Sequence, residues 1–351
     1  MRTDKIIKKL EYPLHVQAEK QLMDVFAVGM LLRAGQLYRQ EVRRMRRNER
    51  TDMPSTGRSA VLLGAGAVGL TLASFLLKAG WTVTVAGARV HFGAIRLSDG
   101  IMSSSHRVHH ISHPRELKNA DTIILAVKSH QTSEISDWLA AVDSRQTTIL
   151  VAQNGVDHVG RTRGYCPNAN IIPAIIYFNA ERTGAGQVVL RRIGHFDLCL
   201  PDEFNSHALV QEFSVSALRT DLSTDFTTRL WLKLIVNIAV NPLTALTCQP
   251  SGIMRDAAMI HSARSLMLEA LPVARKEGAA ITENDVASIL GWIASIPKDS
   301  LSSMLQDRRA GVPLEYEALT GAVVRAGRRH QIETPLNEFV LSLLSRTKMN
   351  V

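Results

Sequence analysis

Between residues 59 and 87 the chain passes from a short apolar run, "SAVLL", through a glycine-rich turn into the helical spacing of "LTLASFLLK", and then into a second β-rich run, "TVTVAG". An apolar run, a turn, a 3.6-residue period and another apolar run within about 30 residues predict one βαβ unit with parallel strands. "ADTIILAVKSH" and "QTTILVAQNG" are two more short apolar runs ending in polar residues, as buried parallel strands do. "NIIPAIIYF", "GQVVLRR" and "HFDLCLP" read as further strands of the same domain, before a helical "NSHALVQEFSVSAL". From about Ser223 onward strand signals stop and helical periods run to the C-terminus. Upstream, residues 14–47 show helical spacing at Val16, Leu22, Phe26, Leu31 and Leu32, and "TDMPSTGR" (51–58) has linker composition. The expected division is a basic N-terminal extension (1–57), an α/β domain (58–221) and an all-helical domain (222–351).

Gly64, Gly66 and Gly69 form G-A-G-A-V-G, with Ala65, Ala67 and Val68 between them, directly between the predicted first strand and helix. In that setting Gly64 serves a tight turn, Gly66 lets a pyrophosphate approach the backbone, and Gly69 lets the helix pack closely on the strand. The expectation is an N-terminal Rossmann-type dinucleotide-binding domain. Its second strand ends without the acidic residue that would take ribose hydroxyls, and Arg89 stands just beyond it. A guanidinium suits a 2′-phosphate, so the expected cofactor is NADP (NADPH); the competing reading of Arg89 is a solvated loop residue.

Residues 230–242, "LWLKLIVNIAVNP", are apolar except for Lys233, Asn237 and Asn241. Four residues advance a helix by about 400°, so the three lie on one stripe about 80° wide. A buried ammonium without a partner costs several kcal/mol, so that face needs an answering group or ligand, unless Lys233 snorkels out and the asparagines bond neighbouring helices. Pro242 is expected to kink or end the helix.

Composition adds limits. The chain has 351 residues, 46% of them hydrophobic and 21% charged, enough for two cored domains. Of the net charge of +9, residues 1–57 supply more than half, with 12 Lys/Arg against 7 Asp/Glu, so any polyanion argument concerns that arm alone. The basic run 43–50 lacks interleaved aromatics and reads as a solvated helix face, so no nucleic-acid partner is expected. Cys166, Cys199 and Cys248 are too scattered for a zinc site or disulfide framework and point to a reducing compartment. His106, His109, His110 and His113 lack an acidic or cysteine partner nearby, and no metal is expected. No uninterrupted apolar run reaches bilayer length and no secretory signal is recognisable, so the expectation is a cytoplasmic protein with no membrane partner.

Five segments together, "GAGAVG" (64–69), "VKSHQT" (127–132), "AQNG" (152–155), "WLKLIVNIAVNPLTAL" (231–246) and "SSMLQDRRAGVPLEYEALTG" (302–321), resemble the ketopantoate reductase family, in order and at fitting spacings from about residue 58 onward. The resemblance implies NADPH-dependent reduction of a 2-oxo acid, ketopantoate, to D-pantoate, in a cleft between a Rossmann domain and an all-helical one. By position it makes Lys233 the general acid. Asn237 and Asn241 would hold the substrate, Ser303 its carboxylate end and Glu315 its hydroxyl end. Lys128 and Asn154 would sit beside nicotinamide and substrate, and Glu315 would also face the cofactor. A homodimer is possible within such a family. The chain departs from the pattern at Ser251, where many members have asparagine, and at Leu314, where threonine is common; both bear on the exact substrate. The 1–57 arm has no counterpart there. Two alternatives stay open: a reductase of another 2-oxo acid on the same scaffold, and a non-catalytic NADP-binding regulator.

Overall fold

The computed structural model describes residues 57–117 and 120–347. The predicted helix 14–47, the linker up to residue 56 and the basic run 43–50 lie outside them.

Six strands form one parallel sheet in the order β5-β2-β1-β6-β7-β8. These are β1 (Ser59–Leu63), β2 (Thr82–Ala86), β5 (His109–Ile111), β6 (Thr122–Leu125), β7 (Thr148–Val151) and β8 (Asn170–Pro173). Each central strand is a run of β-branched and leucine side chains, buried because both faces are covered. The chain builds outward from β1 to β5 and then returns to the other side of β1 with β6, so the order reverses there. Leu63 pairs with Ala86 and Leu125, and Leu125 with Val151, so the four strands end level and their following loops share one edge. In doubly wound sheets this carboxyl edge at the reversal point is where ligands bind.

Helix α1 (Ala67–Lys78) is buried along eight consecutive residues, Gly69 to Leu76. A single sheet would leave one face wet; here a second sheet, β10-β11-β3-β4, covers it. That sheet comprises β3 (Ala94–Ser98), β4 (Ser103–Arg107), β10 (Asn179–Gly184) and β11 (Gln187–Arg191). The segment "GQVVLRR" therefore forms a strand as expected, in this second sheet and not in the parallel one. A third sheet, β13-β12-β9, joins β9 (Ile175–Ile176), β12 (Leu198–Pro201) and β13 (Thr220–Ser223), and β13 runs across the expected division at 221/222. Short helices α2 (Ser136–Ala141) and α3 (His158–Arg163) and the longer α4 (Phe204–Val215) complete this half.

From Phe226 onward the ordered elements are helical. They are α5 (Phe226–Thr247), α6 (Ala257–Lys276), α7 (Glu283–Ser295), α8 (Ser303–Arg309), α9 (Thr320–Arg329) and α10 (Pro335–Arg346). Asp225 caps α5 by accepting from the Thr228 amide at 3.4 Å. The helix does not stop at Pro242 but continues to Thr247, ending at Cys248 with a left-handed φ of 58°. Around the lost amide, the Thr244 and Thr247 hydroxyls bond back to the Val240 and Leu243 carbonyls, both at 2.7 Å. By length and hydropathy α5 could cross a membrane, yet 72% of its most apolar window lies inside the protein, as in a core helix.

Gly64 has φ +107°, and a Cβ there would strike the Val127 amide and Ala126 carbonyl group of the adjacent loop. A Cβ on Gly69 would strike the Gly64 carbonyl and come within 2.8 Å of Leu62 Cδ1. Gly66 is different, with nothing within 4 Å of its Cβ position. Gly69→Ala is therefore expected to cost about 1–3 kcal/mol in urea unfolding, as overpacking does, and Gly66→Ala to leave the midpoint almost unmoved. Equal losses at both positions would contradict this division of labour.

Candidate active site

The open position at Gly66 coincides with the start of α1. Gly66 is the extended N-cap residue, no side chain caps the helix, and no acid stands in its first turn. The first-turn amides are left to an outside acceptor, and the helix dipole favours an anion there. Half-buried Ala65, Ala67 and Val68 line the approach. These features fit the pyrophosphate of a dinucleotide. Arg89 stands exposed in the loop after β2, level with this cradle, and no carboxylate occurs between Thr82 and Arg89.

On the same edge a pocket is lined by Gln153, Asn154 and Ile175 from the sheet half and by Leu230, Lys233 and Asn237 from α5. Lys233 Nζ donates to the Ile176 carbonyl at 2.8 Å. Burial pushes this ammonium down to about 8, against the pull of Glu315. An amine so placed is charged at neutral pH yet able to release its proton readily.

Glu315, between α8 and α9, is 6% exposed and binds the opposite half of the molecule. Its Oε1 accepts from the Ser129 amide at 3.0 Å, and its Oε2 from Asn154 Nδ2 at 3.0 Å and Lys128 Nζ at 3.2 Å. Burial alone would raise its pKa, but Lys128 and these donors hold it below the ordinary carboxylate value. Lys128 Nζ also meets Asp307 Oδ2 on α8 at 2.9 Å, and the two carboxylates outweigh burial to raise the lysine's pKa. Gly155, with φ +102°, lets the loop after β7 approach the helical half: a Cβ there would lie 2.5 Å from the Ala318 carbonyl oxygen.

A further layer fixes the loop that carries Asn154. Gln153 Nε2 donates to the Val127 carbonyl and Thr132 Oγ1, both at 3.0 Å, and Arg161 Nη2 donates to Gln153 Oε1 at 3.2 Å. Burial, with Arg161 and Lys233 nearby, pushes His158 down to about 3, so the neutral ring donates from Nε2 to the Gln153 carbonyl at 2.8 Å.

The structure thus brings Lys128, Asn154, Lys233, Asn237 and Glu315 together. Asn241 is buried one turn further along α5 and does not line the pocket. Ser303 is exposed on the first turn of α8; its neighbour Ser302 caps that helix and shares a 2.7 Å hydrogen bond with Thr244. Leu314 is buried in the helical core, and the buried Ser251 donates its amide to the Ser300 carbonyl at 2.8 Å. Asp307, Gln153, His158 and Arg161 were not singled out from the sequence. Asp307 lies inside the 302–321 segment and Gln153 inside 152–155, while His158 and Arg161 act through contacts that spacing does not reveal. Among the described residues no group of three or more His, Cys, Asp or Glu could hold a metal.

A glycine cradle at the reversal point of a parallel sheet, faced by a helical half that delivers a lysine to the same edge, defines an oxidoreductase that works with a nicotinamide dinucleotide. The family model described as ketopantoate reductase PanE/ApbA matches residues 60–200, and its C-terminal counterpart matches residues 225–348. The chain belongs to the ketopantoate reductase family. It is 33% identical over 287 residues to a 2-dehydropantoate 2-reductase of Mycobacterium tuberculosis, covering 81% of this chain and 96% of the relative. Among solved structures it resembles a PanE/ApbA family ketopantoate reductase from Ralstonia eutropha (TM-score 0.74, 28% identity, 82% of this chain and 97% of that one). It also resembles a ketopantoate reductase from Staphylococcus aureus described as dimeric (TM-score 0.72, 27% identity, 82% and 97%).

Glu315 titrates below its ordinary value, so its contribution to stability is present above the ordinary carboxylate pKa and is lost as pH falls through the lowered one. Lys128→Met removes its counter-charge and lets burial raise that pKa. The variant is expected to lose about 1–3 kcal/mol at pH 7, less than a fully buried pair because the Lys128 side chain is 38% exposed. The deficit should shrink below about pH 5 as the carboxyl group takes a proton. Thermal melts at both pH values check this, and a deficit that does not change with pH would refute it.

Proposed function

We propose that the protein reduces ketopantoate to D-pantoate with NADPH, residues 58–221 holding the dinucleotide and 222–351 supplying most of the substrate site. The observation that carries this reading is Lys233, a half-buried ammonium depressed to about 8 inside a pocket walled by both halves. Bound NADPH supplies hydride to the keto carbon of the substrate. The negative charge that develops on the keto oxygen takes a proton from Lys233 Nζ, giving the alcohol. The Ile176 carbonyl holds the ammonium in the resting protein without accepting its proton, and Glu315 stabilises the charged form. Asn237 beside Lys233, and Asn154 and Lys128 opposite, orient the 2-oxo acid. Ser303 takes the carboxylate end and Glu315 the hydroxyl end, while Asn241, buried beyond the pocket, makes no substrate contact. The first-turn amides of α1 bind the pyrophosphate and Arg89 the 2′-phosphate, which favours NADP over NAD. The likeness to a reductase described as dimeric supports a homodimer.

The reaction is tested by following NADPH oxidation with ketopantoate. The kcat for reduction should fall as pH rises through about 8, where Lys233 loses its proton. Lys233→Ala should lower kcat about a hundredfold while NADPH still binds. Glu315→Gln, by removing the charge that raises the Lys233 pKa, should move the alkaline limb to lower pH. A Lys233→Ala enzyme with normal kcat would exclude the lysine as the acid.

The cofactor preference has its own check. NADPH should be used with higher kcat/KM than NADH, and Arg89→Ala should raise KM for NADPH about tenfold or more while leaving NADH almost unaffected. Equal use of both cofactors by the unaltered protein would remove the assignment to NADP.

A further inference from the structure

We infer that Arg229, paired with Asp221, is a positioning residue that sets Lys233 against the pocket. The inference rests on the reading of Lys233 as the proton donor and adds a part of the machinery outside the pocket lining. Arg229 precedes Lys233 by one turn of α5, on the same side of the helix. Its guanidinium forms a salt bridge with Asp221 of β13 and also donates to Cys199 Sγ of β12 at 3.7 Å. Lys233 reaches the Ile176 carbonyl of β9. Across the three-stranded sheet Ile175 pairs with Cys199, and Cys199 pairs with Asp221, so one register row supplies both anchor points of Arg229 and ends next to that of Lys233.

Two successive cations of α5 are therefore docked on two neighbouring places of one small sheet. Buried Ile175, Cys199 and Leu230, with Val156, Tyr177 and Phe226 packed around them, flank the contact and leave its two charged side chains only about one-fifth exposed. Burial pushes the Cys199 thiol up to about 12 and the Tyr177 phenol higher, so both are neutral at physiological pH. Among the described residues, Asp221 is then the one carboxylate that acts on Arg229. Glu315 does not substitute for it, since its hydrogen bonds run to Ser129, Asn154 and Lys128 and none reaches Arg229. Without the Arg229–Asp221 pair, the first turns of α5 are held to this sheet mainly by Lys233 itself and by non-directional apolar contacts. A displacement of 1 Å at a proton donor can cost about a hundredfold in rate, so loss of this anchor acts on turnover and not only on stability.

The test compares Arg229→Ala, Arg229→Lys, the near-isosteric Asp221→Asn and the Arg229→Ala/Asp221→Asn double variant, each beside thermal melts. Arg229→Ala and Asp221→Asn are expected to lower kcat about tenfold with KM for NADPH held within about twofold. The double variant should lose little more than either single one, and Arg229→Lys should recover part of the loss. In a Lys233→Ala background Arg229→Ala should cost nothing further. Normal kcat in the folded fraction of Asp221→Asn, or an undiminished loss in the Lys233→Ala background, overturns the inference. Crystal structures of the unliganded variants decide the same question without substrate. Lys233 displaced from the Ile176 carbonyl supports the role, and Lys233 unmoved refutes it. A wild-type protein inert toward ketopantoate would count against the substrate assignment, while the structural comparison would still settle Arg229.

Discussion

Glu315 belongs to the helical half but gives both carboxylate oxygens to the sheet half, through the Ser129 amide, the Asn154 amide group and the Lys128 ammonium. A carboxylate this deeply buried would cost several kcal/mol if any large part of that set were missing. The loops after β6 and β7 must therefore present these donors at one place, and their level strand ends make that possible. The constraint propagates: with both loops tied to Glu315, the carboxyl edge of the sheet lies opposite α5 and a pocket forms between them.

The same carboxylate governs the lysine in that pocket. Burial moves Lys233 from an ordinary 10.5 to about 8, a loss of about 3 kcal/mol in preference for the charged form, with Glu315 resisting further loss. A carboxylate in direct contact would hold the proton far more tightly. The Ile176 carbonyl fixes the geometry and accepts only a hydrogen bond. Positioning and proton affinity are thereby set by two different partners, which allows a precisely placed acid to remain a willing one.

Much of this was legible in the sequence because it is local. The glycine motif, the apolar parallel strands and the helical second half each announce themselves within a short window, and the i+4 stripe of Lys233, Asn237 and Asn241 needs only one helix to be seen. The resemblance to ketopantoate reductases supplied Lys128 and Asn154 together with their partner Glu315, which lies more than 150 residues further along the chain. The short, partly polar strands β3 and β10 are not legible in the sequence, and β4 shows only as alternation from residue 105 onward: "SSSHR" has almost no apolar face, and it pairs because β3 beside it does. Pro242 predicts a kink or an end, whereas α5, buried from Ile238 to Ala245, runs past it to Thr247. Asp307 and Arg161 act through tertiary contacts that no spacing encodes.

The drift of the stripe explains why its members end in different surroundings. Each four-residue step overshoots a full turn by about 40°, so from Arg229 to Asn241 the direction swings by about 120°. Arg229 is aimed at the three-stranded sheet, Lys233 at its edge and the pocket, Asn237 at the pocket, and Asn241 has rotated into the packed interior. A helix carrying polar groups at this interval cannot keep all of them in one small pocket. It can pass smoothly from an anchor, through a donor and a substrate contact, into its own core, and α5 uses its first four turns in that order.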